Sequence, residues 1–596
     1  MNTGSSFPEW EGDMAFAKIE PGSDDEDNFE DAFENIPVAT TMDLSTALEE
    51  STVALCLFLN NRFSDALNFL RPWYKRSMYH ATGYGFILVL RALMTFETQD
   101  IQQGIEIMKE AMKTCQSFRR KSSLVQTLSH IIFKPNMESI GEVELHAEIC
   151  YAECLLLKAG LALIEDETML SFIKGGVSFG TSYHIYRDCQ EAILKIKSFH
   201  QTKAFKHLER GVKFGIGAFN LLLSLLPESA LRLLNFVGYT GDRDLGLALL
   251  HQGAVGTSVR AIMCILTLQI YYNYLCLIFG VETNDFHSLE DLLTPYLTKF
   301  PKCAILTFYA SRIEIMKGFF GTAQARLQEC ILLQDEWREI HHLCYWELMW
   351  TYIFEQDWHY AYHYVDLLHQ HNKWSKSMFT FLKASILCML PGDFATAMGE
   401  DVKSLFMQVR TQKQKIGGKT PPTDKFADVK CRRYYSTTSW HVAQPILEMM
   451  YIWSGFQVIA KRLDLVARWM QVIETEEEVL HERPNLEYFM DDQCLVKLLK
   501  GCCLKYLDRL WKAELCFDHV IQNEKLLKFD HYLVPYAYYE LGILFHQKGD
   551  DEKALTYIEH AKTYRDFAME SRLQFRVHTA LQRICGNLAK DVNPDF

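Results

Sequence analysis

The sequence is short of the residues that break a chain into turns: 15 prolines and 31 glycines serve 596 residues. An all-β chain needs a turn signal every few residues, so this scarcity excludes one. The 17 cysteines include no C-x-x-C pair, and the nearest neighbours are Cys150/Cys154 and the adjacent Cys502–Cys503. Thiols without a zinc or disulfide spacing are read as reduced and mostly buried, in a cytoplasmic protein. The opening MNTGSSFPEWEGDMAF lacks a basic and then apolar run, so no secretory signal is expected. A P-loop is also missing. The glycines of GVKFGIGAF (211–219) lack both the G-x-G-x-x-G order and a preceding strand, which leaves them as small residues for helix packing. Nothing local supports a Ser/His/Asp or Cys/His triad, and no enzyme activity or cofactor is expected.

Basic residues are scarce relative to acidic ones. The net charge is −14, and residues 1–37 supply −10 of it through eleven acids against Lys18 alone. An acidic chain is a poor nucleic-acid binder, so nucleic acid is set aside as a partner. Residues 1–40 carry no apolar period and read as a disordered acidic tail. One basic run stands out, VRTQKQKIGGKTPPTDKFADVKCRR (409–433), with eight bases against two acids. Its Gly417-Gly418 and Pro421-Pro422 predict a flexible loop over 409–436. That loop interrupts a helical solenoid over 41–408 and 437–590.

What the sequence has in plenty is helical periodicity with small residues at fixed intervals. In LGILFHQKGDDEKALTYIEHA, Gly542, Ala554 and Ala561 are 12 and then 7 residues apart. The same spacing joins Ala54 to Ala66, Ala92 to Gly104, Gly217 to Ser229, Ser311 to Ala323, Met349 to Ala361 and Gly501 to Ala513. Small residues let two helix axes approach closely, and large residues a turn away fill the adjacent holes. One hairpin cannot bury its own apolar faces, whereas stacked neighbours can, so the recurrence predicts a solenoid. Successive second small residues, such as Ala66 to Gly104 and Ala513 to Ala554, lie 38 and 41 residues apart. This exceeds the ~34 of the tetratricopeptide repeat, which predicts longer helices or connections. Dividing the ordered length by ~40 gives roughly twelve to fourteen hairpins in a right-handed all-α superhelix. SRLQFRVHTALQRI (571–584) then reads as a capping helix, with Leu573, Val577, Leu581 and Ile584 in one apolar stripe and Arg572, Arg576 and Arg583 off it.

Gly542, Phe545, Ala554, Ile558 and Ala561 match the tetratricopeptide pattern best. The segments HAEICYAECLLLKA, FIKGGVSFGTSYHIYRDC, LLLSLLPESALRLLNFVGYTGDRDLGL, HHLCYWELMWTYIF and LVKLLKGCCLKYL resemble the tetratricopeptide repeat protein 39 family. The resemblance runs from about Ile36 to about Leu588. It implies an all-helical repeat scaffold, related to a fungal protein linked to inclusion-body clearance and the mitochondrial outer membrane. No catalytic or binding residue carries over from it.

The expected function is therefore that of a non-enzymatic adaptor holding a protein or peptide in its concave groove. By analogy with the repeat family, the first helix of each hairpin lines that groove, which would expose Lys505, Tyr506, His546 and Gln547 there. Lys413, Lys415, Lys419, Lys425, Arg432 and Arg433 of the basic run offer an electrostatic contact with an acidic partner or an anionic membrane. The alternative is a peripheral, lipid-associated protein on an organelle surface. Its second feature is AIMCILTLQIYYNYLCLIFGV (261–281), which is uncharged and long enough to span a bilayer, although Gln269 and Asn273 favour a buried solenoid helix. His359 and His363 have a chelating i, i+4 spacing but no H-E-x-x-H context, and no metal is assigned to them.

Overall fold

A side-chain carbon at Gly542 would lie 2.5 Å from Ile558 and 3.1 Å from the Ala554 carbonyl, so only hydrogen fits where helices Leu533–Gln547 and Asp551–Thr563 cross. Gly501 meets the Phe517 ring in the same way, at 2.5 Å, where Phe489–Tyr506 crosses Leu510–Gln522. The small-residue spacing thus marks helix crossings. One pairing differs from expectation. A Cβ at Gly217 would stand 3.0 Å from the Gly246 carbonyl, because Lys203–Leu225 pairs with Arg243–Gly253, and Ser229 lies outside the described residues.

The computed structural model describes residues 42–592 except 96, 120–139, 166–168, 196–201, 227–230, 232–240, 257, 282–285, 373–374, 414–419, 436–442 and 483–486. The acidic tail therefore lies outside the described residues. Those that are described form helices and no strand. Helices adjacent in the chain pack on one another in antiparallel pairs, beginning with Leu44–Leu59 on Phe63–Leu70 and Met78–Thr95 on Thr98–Phe118. The pairs end with Leu533–Gln547 on Asp551–Thr563, and helix Glu570–Val592 closes the series. The chain is an all-α helical-repeat solenoid. Three helices toward the N-terminal side are long, with 24, 27 and 23 residues in Glu142–Glu165, Met169–Lys195 and Lys203–Leu225. This length stretches the repeat beyond the usual ~34 residues.

An ideal solenoid touches only its neighbours. This one also closes on itself. The Asn61 side chain, in the turn of the first hairpin, accepts from the Ala304 amide (3.0 Å) and donates to the Lys302 carbonyl (2.6 Å). The Glu336 carboxylate accepts from the amide of Phe63 (3.0 Å), whose ring stacks on Trp337 at 4.1 Å. At the other end, the Phe575 ring of the C-terminal helix stacks on Phe279 at 4.9 Å. Both ends of the solenoid are thereby seated against its middle.

The basic run is packed, which corrects the expectation of a free loop. Pro422 opens helix Pro422–Lys430, where its fixed φ and missing N–H suit the first turn, and a 3₁₀ turn Cys431–Tyr435 follows. Lys430 is buried between Glu448 (2.7 Å) and Asp530 (2.5 Å). Arg433 is buried on Asp492 (2.6 Å), so its charge is spent inside the protein. Lys413 is tied to Asp428 at 2.8 Å. Lys425 and Arg432 are exposed, while Lys415 and Lys419 lie outside the described residues.

Candidate functional site

The uncharged stretch forms helix Val259–Phe279, long and apolar enough to cross a membrane by length and composition. Here it is mostly buried, although Ile270 is exposed. Gln269 and Asn273 are fully buried and bonded to each other at 2.9 Å. Its turn at Tyr271–Leu275 is π-helical, and the loosened Asn273 carbonyl accepts from Arg312 Nη2 at 3.0 Å. The helix stops at Gly280, whose φ of 72° is left-handed and whose missing side chain leaves room for the Tyr539 hydroxyl 2.8 Å from where a Cβ would stand.

Beyond that stop lies a cavity of about 280 Å³, walled by Gly280 and Val281, by Ser454, Gln457 and Lys461, by Cys502, Lys505 and Tyr506, by Tyr539, Glu540 and Gln547, and by Arg576 and Arg583 of the C-terminal helix. Three elements far apart in sequence meet there. Lys505 Nζ sits 2.5 Å from Glu540, which also accepts from the Tyr451 hydroxyl at 3.0 Å. Burial opposes the Lys505 charge, but the Glu540 carboxylate outweighs it and raises the ammonium pKa above its ordinary value. Arg576 donates from Nε to the Ile278 carbonyl (3.2 Å) and from Nη2 to the Ser454 hydroxyl. Arg572 Nη2 donates to that same hydroxyl at 2.9 Å.

The residues expected to line a groove divide here. Lys505, Tyr506 and Gln547 do reach one cavity. Lys505, expected to be exposed, is buried, because its ammonium needs Glu540 and cannot stay unpaired at that depth. His546 is turned to Asp551 (2.5 Å) and does not line the cavity. Sequence reasoning missed Arg572, Arg576 and Arg583 as site residues. Their signal was present: at 100° per residue, offsets of four and eleven fall on one line of a helix. That line faces the cavity and its Ser454 wall, while Leu573, Val577 and Ile584 are buried.

Two other patterns do not build a site. Sequence reasoning overlooked a G-x-S-x-G, Gly176-Val177-Ser178-Phe179-Gly180, which spells a nucleophile elbow; it lies within helix Met169–Lys195, without the strand-to-helix turn that would present a serine. The His359 ring packs on Phe394 at 5.1 Å and His363 on Tyr364 at 5.0 Å. Among the described residues no group of three or more His, Cys, Asp or Glu is placed to hold a metal.

Comparison with known proteins bears on this repeat architecture. Residues 52–507 match the Iml2/Tetratricopeptide repeat protein 39 family. The chain belongs to this family. Tetratricopeptide repeat protein ttc-39B of Caenorhabditis elegans is 31% identical over 561 residues, covering 92% of this chain and 94% of that protein. Among solved structures, yeast Tom70 is 11% identical, with 92% of this chain and 98% of that one covered and a TM-score of 0.22. The Cut9–Hcn1 hetero-tetramer is 10% identical, with 90% of each chain covered and a TM-score of 0.21. The family match ends within the turn after Tyr506, so Glu540 and the three arginines lie beyond it.

Proposed function

We propose that this chain is a non-enzymatic scaffold of the cytoplasm, which holds a protein or peptide partner on the inner surface of its C-terminal repeats. The observation that carries this reading is the convergence of Lys505, Tyr506 and Gln547, from the last turns of two successive first helices, on one cavity whose rim includes the exposed Lys461 and Gln547. Repeat solenoids use such inner surfaces to present side chains from several repeats at once. The cysteines support the cytoplasmic assignment: all are free thiols, and all but Cys388 and Cys585 are buried. Lys425 and Arg432, two exposed bases of the basic run, add an electrostatic contact with an acidic partner.

The test is quantitative affinity capture with the wild-type chain and with a Tyr506→Ala/Gln547→Ala variant, after circular dichroism has shown both to be folded. A set of proteins lost selectively from the variant is the expected result. An identical set from both chains refutes the assignment of the inner surface.

A further inference from the structure

A second cavity lies where the first hairpin is seated against the middle of the solenoid, and its wall is almost wholly apolar. Six large side chains reach it from five helices: Leu55 of Leu44–Leu59, Phe86 of Met78–Thr95, Leu157 of Glu142–Glu165, Val259 and Leu266 of Val259–Phe279, and Ile305 of Ala304–Lys317. Each of the six is only half-buried. Single apolar residues at a surface are ordinary, whereas a concave cluster of them marks a site for something apolar. The few polar groups in the wall are already occupied or neutral. Arg260 Nε and Glu153 are paired at 2.9 Å. The Tyr79 hydroxyl meets Arg260 at 2.7 Å and His146 Nδ1 at 2.5 Å. Ser51 and Thr82 donate to carbonyls of their own helices, Ala47 at 2.7 Å and Met78 at 2.9 Å. Burial, with Arg260 and Arg210 nearby, pushes the His207 pKa down to about 4, so its ring is neutral at physiological pH. The wall thus carries no net charge for an ion to balance. Gly83 also lines it, inside helix Met78–Thr95 where glycine is unfavourable. No close helix crossing demands that glycine: a Cβ there would meet only Leu70, at 3.4 Å. Its missing side chain widens the cavity instead.

We propose that this cavity holds the end of an alkyl chain, belonging to a fatty acid or another amphiphile whose head group stays in solvent beyond the half-buried rim. The volume of about 70 Å³ is under half of the ~150 Å³ that accepts a benzene ring. It has no room for a ring system and suits a thin, flexible chain. With no net charge in the wall, the ligand is read by its chain and not by its head. The chain would touch the first hairpin at Leu55 and the middle of the solenoid at Leu266 and Ile305, and stabilise their seating by its binding free energy. This site is separate from the cavity of the C-terminal repeats, and it stands whether or not a protein binds there.

The test uses the full chain. Thermal melting and calorimetric titration are run with hexanoate, octanoate, decanoate, decanol and naphthalene, and flotation is run with phosphatidylcholine vesicles. Decanoate is expected to raise the melting temperature, and affinity is expected to rise about threefold to fourfold per added methylene until the cavity is filled. Decanol is expected to bind about as tightly as decanoate. Gly83→Leu puts a side chain into the space beside Leu70, and it is expected to weaken decanoate binding about tenfold or more while leaving the ligand-free circular dichroism spectrum unchanged. Should Gly83→Leu fail to fold, Leu157→Asn on the half-buried rim must weaken the same binding several-fold. Binding of soluble decanoate without vesicle flotation assigns a free amphiphile. Flotation that Gly83→Leu abolishes assigns the chain of a bilayer lipid, and either result upholds the site. Affinity that ignores chain length, decanol binding more than tenfold weaker than decanoate, naphthalene binding as tightly as decanoate, indifference to both substitutions, or no binding by any probe overturns the proposal.

Discussion

Two buried arginines, Arg260 and Arg576, show two ways of carrying a charge inside a helical repeat. Arg260 brings its own counter-ion. It donates from Nε and Nη2 to both oxygens of Glu153 (2.9 and 3.2 Å), from Nη1 to the Tyr79 hydroxyl (2.7 Å) and the His207 carbonyl (3.1 Å), and from Nη2 to Cys150 Sγ (3.5 Å). Its five N–H groups are all used. Although burial works against its charge, Glu153 and the groups around it raise its pKa above the ordinary value. At Arg576 the acceptors are a carbonyl and a hydroxyl shared with Arg572. Burial works against its charge too, but Tyr539, Tyr536, Tyr451 and Glu540 raise its pKa above the ordinary value, whereas burial and the neighbouring Arg576 push that of Arg572 down to about 9. Equal depth therefore does not mean equal purpose. Arg260 is held by its own carboxylate, whereas Arg576 is held by neutral acceptors beside a cavity.

The sharpest way to break this contrast is Glu153→Gln. It leaves Arg260 buried without its anion, and a loss of about 3–5 kcal/mol is expected, read as a lower urea midpoint. Gly211→Ala comes next. A Cβ there would stand 2.8 Å from Arg260 Nε and 2.9 Å from Cδ, so the side chain must shift off Glu153, costing ~1–3 kcal/mol in the same measurement. Acid separates the two sites further. Burial, helped by Arg260 and Arg210, pushes the His207 pKa down to about 4, below its unfolded value of 6.5. The unfolded chain thus binds the proton first. Stability from this group is intact above pH 6.5 and declines as pH falls toward 4, by up to about 1.4 kcal/mol per unit. His207→Gln should flatten that part of a stability–pH profile. The smallest effect is expected at Arg572, which has no carboxylate within ion-pair distance among the described residues: Arg572→Met removes this buried charge, and a gain of about 1 kcal/mol is expected. A loss of several kcal/mol there would show that the arginine is structural, like Arg260.

The fold was legible in the sequence because its signal is local. Gly542, Ala554 and Ile558 lie within one hairpin, and the contact between them is what their spacing encodes. The basic run was misread because its partners are remote. Lys430 meets Asp530 and Arg433 meets Asp492, pairs 100 and 59 residues apart, so local composition suggested free charge where there are buried ion pairs. Pro421-Pro422 signalled a loop, and only the second proline's place at a helix start decides otherwise. The candidate site was half legible. Lys505, Tyr506 and Gln547 reach one cavity, Lys505 as a buried ion pair rather than the exposed side chain expected, whereas Arg576 reaches a carbonyl 298 residues away at Ile278, a contact that no periodicity reports.

The seating of Asn61 on residues 302 and 333 sets a schedule for biosynthesis. Its two acceptors there lie 241 and 272 residues downstream. At roughly 5–20 residues per second, the ribosome delivers them about 10–60 s after the first hairpin. For that interval Phe58 and Phe63 have no Trp337 to cover them, and the newborn hairpin keeps that aromatic face uncovered.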